Sequence, residues 1–182
     1  MRRLENKYLF IAFAMLFISS CSATKKTEAP NSLYKTEEGK SIAYKSYDKA
    51  MELWEVEYSE DFVETDFGKS HIIISGADNE QVLFLIPGLF ADATMWYPNV
   101  SALSQHFKVY TLDMPNYGGK SQPSGKAVAT FSDYKTWFSQ ILKHYQVKKT
   151  SVAGLSYGSW LTLALARGMP NRIESFVLLD PS

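Results

Sequence analysis

Ser151-Val152-Ala153-Gly154-Leu155-Ser156-Tyr157-Gly158-Ser159 decides the reading of this chain. A short apolar run enters Gly-x-Ser-x-Gly, and a helical pattern from Tyr157 to Ala166 leaves it at once. Strand, one-residue elbow and helix form the context in which such a serine is presented as a nucleophile. Gly154 and Gly158 are expected to be glycines because strand and helix pass too close there for a Cβ. The turn should lift the Ser156 hydroxyl above the sheet edge. It also sets a helix N-terminus, with its N–H groups and positive dipole end, beneath developing negative charge. The plain alternative is a Gly/Ser turn without chemistry; the strand before it and the helix after it favour the nucleophile.

Working outward, the strand entering the elbow is read as Lys149 to Ala153, and the helix leaving it stops at Gly168 with Pro170 just beyond. Phe176 to Asp180 is the final strand, an apolar edge that is an aggregation hazard if nothing covers it. Upstream, Tyr134, Trp137, Phe138, Ile141, Leu142 and Tyr145 repeat with helical spacing, and Ser132 or Asp133 can cap that helix. Phe107 to Leu112 reads as a strand ending in the turn formers Asp113 to Ser121, with loop to Ala129. A helix is expected over roughly Met95 to His106, with Trp96, Val100 and Leu103 inward. Val82 to Ile86 is apolar without alternation, as in a strand covered on both faces, and Pro87 to Asp92 is the loop after it. Phe62–Phe67 and Ser70–Ser75 form a hairpin with its turn at Gly68-Lys69. Ile42 to Trp54 reads as an amphipathic packing helix.

Two strands followed by repeated strand–helix units predict an α/β fold with a mostly parallel sheet flanked by helices. Binding then belongs beyond the carboxyl ends of the strands. Leu89, Asp113 and Ser156 each follow such an end, so three separate segments converge on one crevice.

The chain has 182 residues, about one domain, and 46% hydrophobic residues can fill a core. Nineteen basic residues balance nineteen acidic ones, and no basic patch suggests a nucleic-acid partner. There is no metal-ligand spacing, phosphate loop or dinucleotide fingerprint, so no metal or cofactor is expected.

Residues 1–20 read as a targeting segment: Arg2, Arg3 and Lys7 precede an eleven-residue apolar run, Tyr8 to Ile18, too short for a membrane span. Ile18-Ser19-Ser20-Cys21 resembles a bacterial lipoprotein box. That resemblance implies cleavage before Cys21, the only cysteine, and acylation of its sulfur and its new amine. Two or more acyl chains give a stable anchor, so the implied location is the extracytoplasmic side of a bacterial membrane. A simple signal peptide or an uncleaved anchor is the alternative. Without residues 1–20 the chain carries 16 basic and 18 acidic residues. Residues 21–35 are polar and lack periodicity, as in a flexible tether, which leaves the domain at 36–182.

The chain from about residue 60 resembles the α/β-hydrolase family in four places. Pro87-Gly88-Leu89-Phe90 occupies the place of that family's His-Gly oxyanion loop. Asp113 to Ser121 is similar to its Asp-x-x-Gly-x-Gly-x-Ser segment. Gly154 to Gly158 matches its elbow, and Ala166 to Ile173 with Val177 to Pro181 matches the stretch after it. The helix before the sheet and Thr94 to Val100 suggest a carboxylesterase-like branch found in bacilli. The resemblance implies acyl transfer from a small ester-type substrate to water, with Ser156 as nucleophile and the N–H groups of Tyr157 and Leu89 holding the oxyanion. Pro87 stands where the family has a histidine that shapes the loop.

The family order is Ser, acid, His, with the acid after the seventh strand and the histidine after the eighth. Counted from Phe62, six strands are present here, which implies an α/β-hydrolase sheet lacking its last two strands and a chain without its general base. Asp180, ending the sixth strand, is a minor candidate for the acid; a turn cap before Pro181 is the alternative. Asp113 is expected to organise its own loop. All three histidines precede Ser156. His71 is placed on the exposed face of a strand, and His106 and His144 at helix ends. Three functions remain open: a serine hydrolase acting on esters, a lipid-anchored non-catalytic binding protein of the same fold, and the same serine used for C–C bond hydrolysis or perhydrolysis.

Overall fold

A computed structural model describes residues 31–181. The expected signal segment and Cys21 lie outside the described residues. Seven strands form one sheet: β1 Tyr58–Thr65, β2 Gly68–Ser75, β3 Val82–Ile86, β4 Lys108–Leu112, β5 Gln122–Pro123, β6 Thr150–Leu155 and β7 Ile173–Leu179. Their order is β1-β2-β4-β3-β6-β7, with β5 paired to β2. β4, β3, β6 and β7 run parallel, whereas β2 is antiparallel to β1, β4 and β5. The helices are α1 Glu37–Met51, α2 Tyr97–Leu103 behind a 3-10 turn at Ala93–Trp96, α3 Phe131–His144 and α4 Tyr157–Gly168. Among the described residues no helix is long and apolar enough to cross a membrane.

The central strands have no solvent face. Successive residues of β3 alternate between two cores: Phe84 and Ile86 join one, and Leu83 and Leu85 join the other. The first core is closed by α3 and α4 through Trp137, Phe138, Ile141, Leu161 and Leu165. The second is closed by Tyr47 and Met51 of α1 with Trp54, Trp96 and Val100. This two-sided burial explains the unbroken apolar run of β3, since each pleat direction meets a helix layer.

Several boundaries differ from the sequence expectation, each for a local reason. The hairpin turn falls at Asp66 and Phe67, not Gly68-Lys69, because Thr65 pairs with Gly68. Phe67 is 1% exposed: its ring turns into the core instead of continuing the strand. α1 begins at Glu37 rather than Ile42, since Thr36 caps it by accepting the Gly39 N–H at 3.0 Å. Just before it, Tyr34 donates its hydroxyl to the Gly119 carbonyl at 2.6 Å, so the end of the expected tether touches the domain. The helix expected over Met95–His106 is split into the 3-10 turn and the short α2. β7 starts at Ile173, three residues earlier than expected, and ends at Leu179.

The cap of α3 is Thr130, not Ser132 or Asp133. Thr130 Oγ1 accepts from the Asp133 N–H at 3.2 Å, and the Asp133 carboxylate accepts from the Thr130 N–H at 2.8 Å. These bonds draw the Asp133 carboxyl below the usual carboxylate range, the Thr130 hydroxyl contributing most. Thr130→Ala is expected to lower unfolding free energy by about 1 kcal/mol, the usual worth of such a cap. Urea denaturation should show a lower midpoint at unchanged slope.

β7 pairs only with β6 among the described residues. Its Phe176, Val177 and Leu179 are 46%, 52% and 39% exposed, as the apolar edge reading anticipates.

Candidate active site

Ser156 is the single residue between β6 and α4. Its backbone, φ 52° and ψ −119°, is one that residues with a Cβ rarely adopt. The conformation persists because the surroundings over-determine it. The Ser156 N–H donates to the Leu179 carbonyl at 2.9 Å, and the Ser156 carbonyl accepts from Ser159 N–H at 2.8 Å and Trp160 N–H at 3.2 Å. The buried Ser159 hydroxyl lies 2.6 Å from the Gly154 carbonyl and 2.8 Å from that of Leu179, and it accepts from the Leu179 N–H at 3.0 Å. One side chain of α4 thus ties the strand below the elbow to the strand beside it.

Both elbow glycines are required by contact. A Cβ on Gly154 would meet the Gly158 carbonyl oxygen at 2.2 Å, and one on Gly158 would meet the carbonyl oxygens of Ile86 and Pro87 at 2.4 and 2.5 Å. α4 therefore leans directly on the end of β3. That brings the loop after β3 to the elbow: a Cβ on Gly88 would stand 3.8 Å from the Ser156 Cβ and 3.6 Å from the Leu155 carbonyl oxygen. Leu89 is the next residue along and is 43% exposed. Tyr157 is the first residue of α4, where a backbone N–H has no intrahelical acceptor.

The loop is itself contorted. Phe90 has φ 61° and is 79% exposed. Its ring meets Tyr117 edge-on at 5.8 Å; Tyr117 meets Tyr157 at 6.1 Å, and Tyr157 stacks on Trp160 at 5.4 Å. The Tyr157 hydroxyl donates to that of Tyr134 at 3.2 Å. Burial, then the Tyr157 contact, pushes the Tyr134 hydroxyl well above the ordinary tyrosine range, so it stays a neutral partner.

Of the three segments expected to converge, those bearing Leu89 and Ser156 meet directly, and the third packs on the first. Gly118, φ 48°, would place a Cβ 3.5 Å from the Ala91 carbonyl oxygen. Asp113 itself is fully buried beneath these loops. Asp180 follows β7 with φ 45° and is exposed. Since Leu155 pairs with Leu179, Asp180 lies beside Ser156 at the same end of neighbouring parallel strands.

His71 corrects the sequence reading. It is 0% exposed, not on an open face, because β2 is covered on both sides. Its Nδ1 lies 2.8 Å from Asp113 Oδ2 and its Nε2 lies 3.0 Å from Glu60 Oε1. Lys120 continues the chain of charges, 2.8 Å from Glu60 and 2.9 Å from Asp48. Burial acts to lower the Lys120 ammonium, but its bonds to Glu60 and Asp48 outweigh this and hold it above the ordinary lysine range. This cluster was missed because its members sit on four separate segments. A single histidine just before the apolar run Ile72-Ile73-Ile74 was the available signal. His106 is exposed just past α2, and His144, the last residue of α3, bonds Asp61 Oδ2 at 3.2 Å.

Residues 81–182 match the family model for the alpha/beta hydrolase fold, and the chain belongs to that family. It is similar to carboxylesterase YbfK of Bacillus subtilis (strain 168), 34% identical over 139 residues, 76% of this chain and 47% of that protein. An uncharacterized carboxylesterase, nap, of the same strain is 31% identical over 139 residues, covering 76% and 46%. Among solved structures, naproxen esterase (carboxylesterase NP) from Bacillus subtilis superposes with a TM-score of 0.74 at 29% identity, over 79% of this chain and 50% of that one. The chain spans about half the length of the curated relatives it matches. Among the described residues no group of His, Cys, Asp and Glu is placed to hold a metal ion.

Proposed function

We propose that this chain carries the nucleophile half of a serine hydrolase acting on small carboxylic esters. The observation that carries the reading is the Ser156 backbone, held at positive φ between a parallel strand and a helix, with the loop after β3 packed against it. In this reading the Ser156 Oγ attacks the ester carbonyl carbon as its proton passes to a base. The tetrahedral oxyanion is held by the Tyr157 and Leu89 N–H groups. Collapse expels the alcohol, and water then hydrolyses the acyl-enzyme. Preorganised donors of this kind contribute about 10²–10³-fold each. The carboxylesterase names of the relatives support esters as the substrate class. Two of the three histidines are committed to carboxylates and His106 ends a helix on the outside, so the base is not assigned among them.

A biotinylated fluorophosphonate tests the assignment. The full-length product should be labelled on Ser156, and its Ser156→Ala variant should not be labelled. Equal labelling of both, or none in the parent, overturns it; the latter result favours the non-catalytic binding reading.

We also propose that Cys21 is acylated and that the domain is tethered to the outer side of a bacterial membrane, on the sequence pattern alone. Cys21→Ala, expressed in a bacterial host, should lose incorporated palmitate and move from the membrane fraction to the soluble one. Unchanged fractionation would refute the anchor.

A further inference from the structure

The carboxylate of Asp113 holds together two other pieces of chain and the far end of its own loop. Oδ1 accepts the Ala93 N–H at 2.7 Å, at the far end of the loop that begins at Pro87. Oδ2 accepts the Lys120 N–H at 2.8 Å and faces His71 Nδ1 at 2.8 Å. Resting on the reading of Ser156 as nucleophile and Leu89 as oxyanion donor, we propose that Asp113, braced by His71, is the positioning residue that fixes the oxyanion loop against the elbow.

The loop needs such an anchor. At its near end it is held by β3, which is bonded on both sides, and by the close approach of Gly88 to the elbow. Its middle has one turn bond, Ala91 N–H to the Gly88 carbonyl at 3.2 Å, and Phe90 at positive φ. Asp92 turns its carboxylate onward to the Thr94 N–H and hydroxyl. The Ala93 N–H bond to Asp113 is therefore the far-end tie between the loop and the sheet. Its own loop has been shaped around the same carboxylate: Gly119, φ 73°, would place a Cβ 2.2–2.4 Å from its atoms, so only glycine lets that backbone close over it.

A carboxylate buried this completely is tolerable only with its lone pairs filled and its charge matched. Two amides and the His71 ring supply its partners, and both ring nitrogens face a carboxylate oxygen. His71 is in turn surrounded by Glu60, the Tyr47 hydroxyl at 3.4 Å and the Phe62 ring at 4.9 Å. The brace thus runs from β1 through β2 to the end of β4, and from there to the loop after β3.

Asp113→Asn keeps the shape but has one oxygen: placed at the Oδ2 position it serves Lys120 and His71, and the NH₂ is left facing the Ala93 N–H. Two readouts decide the proposal. Hydrogen exchange of the peptide spanning 87–93 should quicken by about tenfold or more, because a tied amide becomes an open one. The second-order rate constant for fluorophosphonate labelling of Ser156 should fall by about 10–100-fold, the scale of one misplaced oxyanion donor. The labelled fraction at long times should stay near that of the parent. A residue that merely supports folding would instead lower the labelled fraction and leave the rate constant alone. That result, or unchanged exchange at 87–93, overturns the proposal. If Asp113→Asn does not fold, His71→Asn is judged on the same readouts: both should move in the same direction, and no change in either overturns it. If the parent itself is not labelled, the nucleophile reading fails, and loop exchange alone decides whether Asp113 is the anchor.

Discussion

Ser156→Gly is expected to abolish fluorophosphonate labelling and, at the same time, to raise the melting temperature. Loss of the nucleophile should cost about 10⁴-fold or more in rate, since groups that act as a unit fail together. Stability should move the other way because Ser156 pays conformational strain at φ 52°, ψ −119°. Such strain costs about 1–3 kcal/mol for a residue with a Cβ. Glycine relieves it but loses about 0.5–1 kcal/mol more chain entropy on folding. The net gain should be about 1 kcal/mol, or about 2–4 °C for a domain of this size. Differential scanning fluorimetry beside the labelling assay checks both halves. A drop in melting temperature would mean that the elbow conformation is unstrained. Ser156→Ala, which keeps a Cβ, should lose activity without that gain.

Gly158→Ala should be strongly destabilising. The added carbon would sit 2.4–2.5 Å from two carbonyl oxygens, those of Ile86 and Pro87, and 3.0 Å from the Ile86 carbonyl carbon. No flexible side chain can yield there; α4 must shift away from β3. Overpacking of this kind costs about 1–3 kcal/mol, and contact with backbone at the centre of a sheet belongs at the upper end or beyond. Because the same oxygens open the loop from Pro87 to Asp92, the surviving folded fraction should also label more slowly per site. Urea unfolding and a labelling time course would show a lower midpoint and a lower rate together. A variant with parental stability would mean that the elbow helix is not seated on β3 as described.

What was legible in the sequence was what local chemistry fixes. The elbow is five residues whose spacing is itself the constraint, and Val82–Ile86 announces two-sided burial by composition. The α3 stripe from Tyr134 to Leu142 is buried as read. What escaped depends on partners distant in sequence. Phe67 looks like a strand residue until the core that takes its ring is known. Gln122–Pro123 cannot be recognised as a strand in isolation; it pairs only because Gly68 and Lys69 pass beside it. His71 looks exposable because alternation cannot say that both faces of β2 are roofed. Thr130 lost out to Ser132 and Asp133 because three polar residues within four positions are equally good caps until backbone direction chooses one.

The two cores flanking the sheet are unequal, and this grades the molecule's looseness. Among the described residues, twenty buried residues lie in the cluster beneath α3 and α4, against eleven in the one beneath α1 and the 3-10 turn. Partial opening under native conditions follows the thinner layer, because a segment with fewer apolar anchors separates at lower free energy. Of α1, only Tyr47 and Met51 are buried. α1 can therefore breathe off one side while the helix that begins at Ser156 keeps its seat on the other.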